Sequence, residues 1–278
     1  MAENGRSAGG AGAGAGRSAA ADLHRLSLMS LMAAVCPLVP VPWLDDWAER
    51  LVRRRAVAEL LRERGVDPTP ADVAVLAGLE PQGRRGCAEL VLWPLTGVIL
   101  YAGKKLFRKV FFVLALGDAV RAATSLFHDA YLLRHALALG ELPPGTGGRL
   151  DRQEARRVRR AMEATVAETD PAPLRGALRR ALAGSGRVLA GEAIRLGGWL
   201  SRQRRTAPTA GGEAEERAAE ALPVDREETS LGGLAARLAT SLGLEEGYRW
   251  ELERRLEGHL AAPSPPSPGA AGAPADLG

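Results

Sequence analysis

The sequence predicts an all-α fold: an irregular multi-helix bundle with kinked apolar central helices and disordered termini. Three observations carry this. Leu and Ala recur at spacings of three and four residues, the period of one helix face. Beta-branched residues are sparse and seldom alternate with polar ones, so strands have little material. Gly, Pro and short polar residues fall between the periodic runs, where helices start and stop.

Residues 1–21 are nearly all small or polar, with a Gly-Ala alternation from Gly9 to Gly16. They offer little side chain to bury against the entropy of ordering, which predicts a disordered tail. The first helix is expected over 23–35, ended by Pro37. The next begins near Leu44, with Asp45, Asp46 and Glu49 at its positive end and Gly65 as its C-cap. Thr69, Pro70 and Asp72 read as cap, first helical residue and acidic first turn of a short helix over 70–77.

A helix over 87–102, a kink near Gly103 and a long helix over 105–139 make the apolar centre, followed by a Gly/Pro linker at 140–148. A basic helix is expected over 151–168, and a run over 173–204 is helical in spacing but interrupted by Gly184, Gly186, Gly191, Gly197 and Gly198. The apolar stripes Leu231, Leu234, Ala235, Leu238, Leu242 and Tyr248, Leu252, Leu256, Leu260 predict a C-terminal helical hairpin. The last segment, with five prolines, reads as a second disordered tail. The regions are then 1–21 tail, 22–142 apolar helical core, 143–205 basic helices, 206–228 acidic and partly disordered linker, 229–260 hairpin and 261–278 tail.

Of the 37 basic residues all but Lys104, Lys105 and Lys109 are Arg, which a composition rich in Ala, Gly, Arg and Pro accounts for. The net charge of +4 conceals a basic block at 149–205, net +8, followed by an acidic segment at 206–228, net −5. Cys36 and Cys87 make no disulfide framework, which points to a reducing, cytoplasmic setting. No signal peptide is evident, and the apolar run at 90–103 falls short of the ~20 residues a spanning helix needs.

The segment Lys104, Lys105, Phe107, Arg108, Lys109 and Phe111 follows that apolar run directly. Rings sinking toward acyl chains while cationic stems reach headgroups suit an anionic membrane surface. Trp43, Trp47 and Trp93 suit the same interface. A core helix, or the groove of a protein partner, explains the same pattern, and a buried inter-helix connection explains the apolar stretch from Leu26 to Leu44 equally well. The long helix also carries a polar stripe in which Asp118, His128 and Asp129 are the candidates for catalysis or ligand binding, against an ion-paired seam between helices. The cluster Arg156, Arg157, Arg159 and Arg160 can meet phosphates, but no aromatic residue interleaves it, so nucleic acid is disfavoured and a solvated face, or pairing with the acidic residues of 213–228, is the alternative. No nucleotide-binding loop, metal-ligand spacing or nucleophilic constellation is present, so no cofactor is expected.

The run Pro40-Val41-Pro42-Trp43-Leu44-Asp45-Asp46-Trp47-Ala48-Glu49, the basic helix ending in Arg64-Gly65 and the later Gly103-Lys104-Lys105-Leu106-Phe107 segment resemble a group of uncharacterised bacterial helical proteins. More distantly they resemble helical domains found with bacterial membrane proteins and membrane-associated GTPases. The resemblance covers residues 25–140, brings no catalytic residue, and implies an accessory helical domain. The reading is a non-enzymatic accessory or scaffold protein, peripheral or shallowly inserted at the inner face of a membrane, touching it through residues 87–117 and 26–47. The rivals are a soluble interaction module and an enzyme or ligand binder built on Asp118, His128 and Asp129.

Overall fold

The computed structural model describes residues 10–39, 44–80, 108–143, 150–206, 212–223 and 231–262, and all regular structure among them is helical. Ten α-helices follow in order: α1 (Gly10–Val35), α2 (Leu44–Glu63), α3 (Pro70–Leu76), α4 (Arg108–Leu139), α5 (Arg152–Glu168), α6 (Ala172–Leu182), α7 (Gly186–Thr206), α8 (Gly212–Glu220), α9 (Leu231–Gly243) and α10 (Glu246–Ala261). A single 3-10 turn, Cys36–Leu38, continues α1 at Pro37. The all-α expectation holds.

Helix α1 is apolar around its whole circumference. From Leu26 to Cys36 every residue except Leu28 is buried, Ser27 and Ser30 included. A helix of that kind must be enclosed on all sides. Its main neighbours are α4 and α9, with α2 and α7 also against it. Helix α4 is largely buried from Ala119 to Leu137, Arg121 excepted, with Phe127 the largest fully buried side chain among the described residues. For residues 26–47 the buried alternative is the one the fold has, not the membrane contact: Leu26, Met29, Leu31, Val35, Cys36, Val39 and Leu44 are core, and Trp47 is half-buried against it. The chain covers this apolar surface with its own C-terminal helices.

The local signals act as the sequence predicts. Thr69 and Asp72 form a reciprocal capping box with Pro70 in the first turn. Gly65, Gly78, Gly140 and Gly184 all have positive φ and end helices, a backbone state that costs glycine least. Of the five glycines expected to interrupt the 173–204 run, only Gly184 breaks it. The others sit within or at the start of α7.

Three expectations are corrected. The first helix begins at Gly10, well before residue 23, because the Ala-rich approach can extend a helix already anchored by its packed half. The acidic segment is not wholly a linker. Its residues 212–220 form α8, held on α2 by Glu215–Arg54 at 3.2 Å and Glu220–Arg62. The two C-terminal stripes are buried at every predicted position, yet they do not chiefly face one another. Helix α9 packs on α1 and α6, and α10 packs on α5 and α4. The regions delimited by charge therefore share one core cluster, running from Leu23 to Leu260. The expected helix at 87–102, the kink near Gly103, and both terminal tails beyond residues 10 and 262 lie outside the described residues.

Candidate functional site

Asp129 sits on the buried face of α4, where an isolated carboxylate would carry a heavy desolvation cost. Two guanidinium groups from other helices meet it. Arg53 of α2 donates to Oδ2 at 2.5 Å and Arg159 of α5 donates to Oδ1 at 3.0 Å. Each arginine is itself held a second time. Arg53 also bonds Glu49 at 2.9 Å and Ser125 at 2.8 Å. Arg159 pairs with Glu163 at 2.7 Å and donates to the Leu76 carbonyl at 3.2 Å. That last bond fills an acceptor exposed at the end of α3.

Gly78 completes this corner. Its φ of +67° suits glycine, and a Cβ there would stand 2.7 Å from the Arg159 guanidinium. Asp129 thus ties α2, α4 and α5 together. Both its oxygens are engaged, so it is not placed to take a proton from a substrate.

His128 is the next residue on α4, and one residue turns a helix by ~100°, so it faces elsewhere. It is 2% exposed and its Nε2 hydrogen-bonds the Tyr248 hydroxyl of α10. Burial, reinforced by the nearby Arg175 charge, lowers its pKa from 6.5 to about 4, which keeps the ring neutral near neutrality. Burial also pushes the Tyr248 phenol above its ordinary range. One turn further along, Tyr131 donates to Glu253 at 2.5 Å and His135 meets Glu257 at 2.9 Å. The polar stripe of α4 is therefore a seam, one side bonded to α2 and α5 and the other to α10.

Asp118 lies at the exposed end of the stripe, paired with Arg121 at 3.0 Å. It lines an open cleft of about 390 Å³ together with Asp45, Asp46, Glu49, Arg53 and Ser125. Asp118, His128 and Asp129 do not converge: the first faces solvent, and the other two point into different helix interfaces. No group of three or more His, Cys, Asp or Glu able to hold a metal occurs among the described residues.

The Arg cluster of α5 is mostly neutralised in place. Arg156 pairs with Glu80 at 2.8 Å, Arg157 with Glu141 at 2.5 Å and Glu154 at 2.7 Å, and Arg159 with Asp129 and Glu163. Only Arg160 makes no ion pair among the described residues, donating instead to the Arg156 carbonyl at 3.3 Å. The internal pairing weighed from the sequence is present, with these carboxylates rather than the acidic segment as partners.

Of the expected membrane-contact residues, Trp43, Trp93, Lys104, Lys105 and Phe107 lie outside the described residues. Arg108, Lys109 and Phe111 fall in the first turn of α4, where the backbone alone is described. Among the described residues no helix is long and apolar enough to cross a membrane.

The sequence reading missed Arg53, Arg159 and Tyr248 as partners of Asp129 and His128. Their separations of 76, 30 and 120 residues leave no local spacing to find them by. Comparison of the chain with protein families, with curated proteins and with solved structures finds no match.

Proposed function

We propose that the protein is a non-enzymatic helical accessory or scaffold protein associated with an anionic membrane surface. The observation that carries this reading is the fate of the polar residues within the fold. Asp129, His128 and the α5 arginines are spent on holding helices together, which leaves binding rather than chemistry as the role. The apolar run at 90–103 and the Lys104, Lys105, Arg108, Lys109 cluster lead straight into α4. Helix α4, which begins at Arg108, is anchored in the core from Ala119 onward. The weak resemblance of residues 25–140 to helical domains of membrane-associated bacterial proteins agrees with this.

Fractionation of cells expressing the full chain tests the proposal. The expected result is sedimentation with membranes and release by detergent, with partial resistance to salt because apolar side chains contribute. Recovery of the whole pool as a soluble monomer at low salt contradicts it. That outcome would favour the second reading, a soluble interaction module, which the self-covered core around α1 supports.

A further inference from the structure

The basic block at 149–205 divides in two once its partners are known. On α5 Arg156, Arg157 and Arg159 face carboxylates, and on α6 Arg180 meets Glu245 at 3.6 Å. On α6 and α7, residues 172–206, there are eight Arg and a single acidic residue, Glu192, which is buried and bonded to Arg195 at 2.7 Å. Helix α7 buries Leu189, Ala193, Leu196 and Leu200 against the bundle. The opposite crest carries Arg187, Ile194 and Arg205, at spacings of seven and eleven, which return to nearly the same angle on a helix.

All three are exposed, and Ile194, at 67%, is one of four large apolar side chains so exposed in the described structure. Arg187 and Arg205 make no ion pair among the described residues. Gly191 and Gly198 lie between them near the same crest; a Cβ at Gly191 would meet nothing within 4 Å, and one at Gly198 only the end of the Arg202 side chain at 3.9 Å.

We propose that this crest of α7 is a second contact with the anionic membrane surface, in which Arg187 and Arg205 pair with lipid phosphates while Ile194 inserts between them. The proposal rests on the membrane reading above and adds a surface to it. The two arginines are ~27 Å apart along a straight helix, so the crest is long and convex and suits a flat surface. A protein groove would need a matching concavity and acidic groups at both ends. Arg204 and Arg195 flank the crest, and among the described residues the one carboxylate of this helix, Glu192, is buried and bonded to Arg195.

Binding of the full chain to vesicles of phosphatidylcholine with phosphatidylserine tests this. Each basic residue near such a surface contributes about fivefold to affinity, so R187Q/R205Q should weaken binding roughly 25-fold. Ile194→Ser should weaken it up to about tenfold. R152Q/R160Q, the same loss of two charges away from the crest, should change affinity by less than about fivefold. All these positions are exposed, and unchanged thermal unfolding would confirm intact folds.

If R187Q/R205Q binds like the parent while K104Q/K105Q/K109Q loses binding, the α7 contact is overturned and the membrane reading survives. If the parent chain binds no vesicles, both fall. Binding of duplex DNA that is lost in R187Q/R205Q, without vesicle binding, would overturn the proposal in favour of a nucleic-acid face.

Discussion

Asp129 illustrates what a buried charge demands of its surroundings. Removing it leaves Arg53 and Arg159 facing each other across a part-buried interface, so Asp129→Ala should cost about 3–5 kcal/mol in urea unfolding. His128 makes a different prediction. Its folded pKa of about 4 lies below the unfolded value of 6.5, so as pH falls the unfolded chain takes the proton first. The stability it contributes is complete above pH ~6.5 and is lost progressively toward pH ~4, a total of roughly 3 kcal/mol. The loss over that window should be smaller in His128→Phe than in the parent chain, read by denaturation at each pH. An equal loss in both would show that the ring is not the source.

At this scale the sequence is half legible. It singles out Asp118, His128 and Asp129 as a stripe on one helix, since spacing on α4 is local. It does not tell a seam from a site, because the answer lies in Arg53, Arg159 and Tyr248, which only tertiary packing brings near.

Among the elements, helix ends follow rules the chain carries within a few residues, and these were readable. Thr69 through Asp72 and Gly65 cap as their types require. Gly78 has two reasons to be glycine, its φ and the Arg159 guanidinium against it. Gly78→Ala should therefore cost more than the ~1 kcal/mol typical of a strained cap alone, and it should also weaken the Asp129 tie, with thermal unfolding as the measure. The apolar stripes of α9 and α10 were equally plain, but a stripe says only that a face is buried, not against what. Helix α9 lies on α1, more than 200 residues earlier in the chain. Leu238→Ala should cost about 2–5 kcal/mol and lower amide protection in α1 as well as α9. Loss confined to α9 would show that the C-terminal helices are peripheral.

Over the whole molecule, charge blocks and apolar runs play separate parts. The uncharged run from residue 26 suits a membrane surface and a buried connection equally well on sequence alone. The fold covers it with helices from the far end of the chain, and one core cluster joins regions that composition separates. Charge was legible as a total but not as availability. The arginines of α5 are internally paired, whereas those along the crest of α7 look outward. The crest of α7 is thus the outward-facing cationic surface that the two proposals join to the Lys104–Lys109 cluster of the sequence.

The most direct test is flotation of the full chain with anionic and with zwitterionic vesicles, side by side at low salt. The account predicts flotation with the anionic vesicles and little or none with the zwitterionic ones, and a decline with added salt as the Arg and Lys contacts are screened. A chain that stays at the bottom of both gradients, or that floats equally with both, contradicts it.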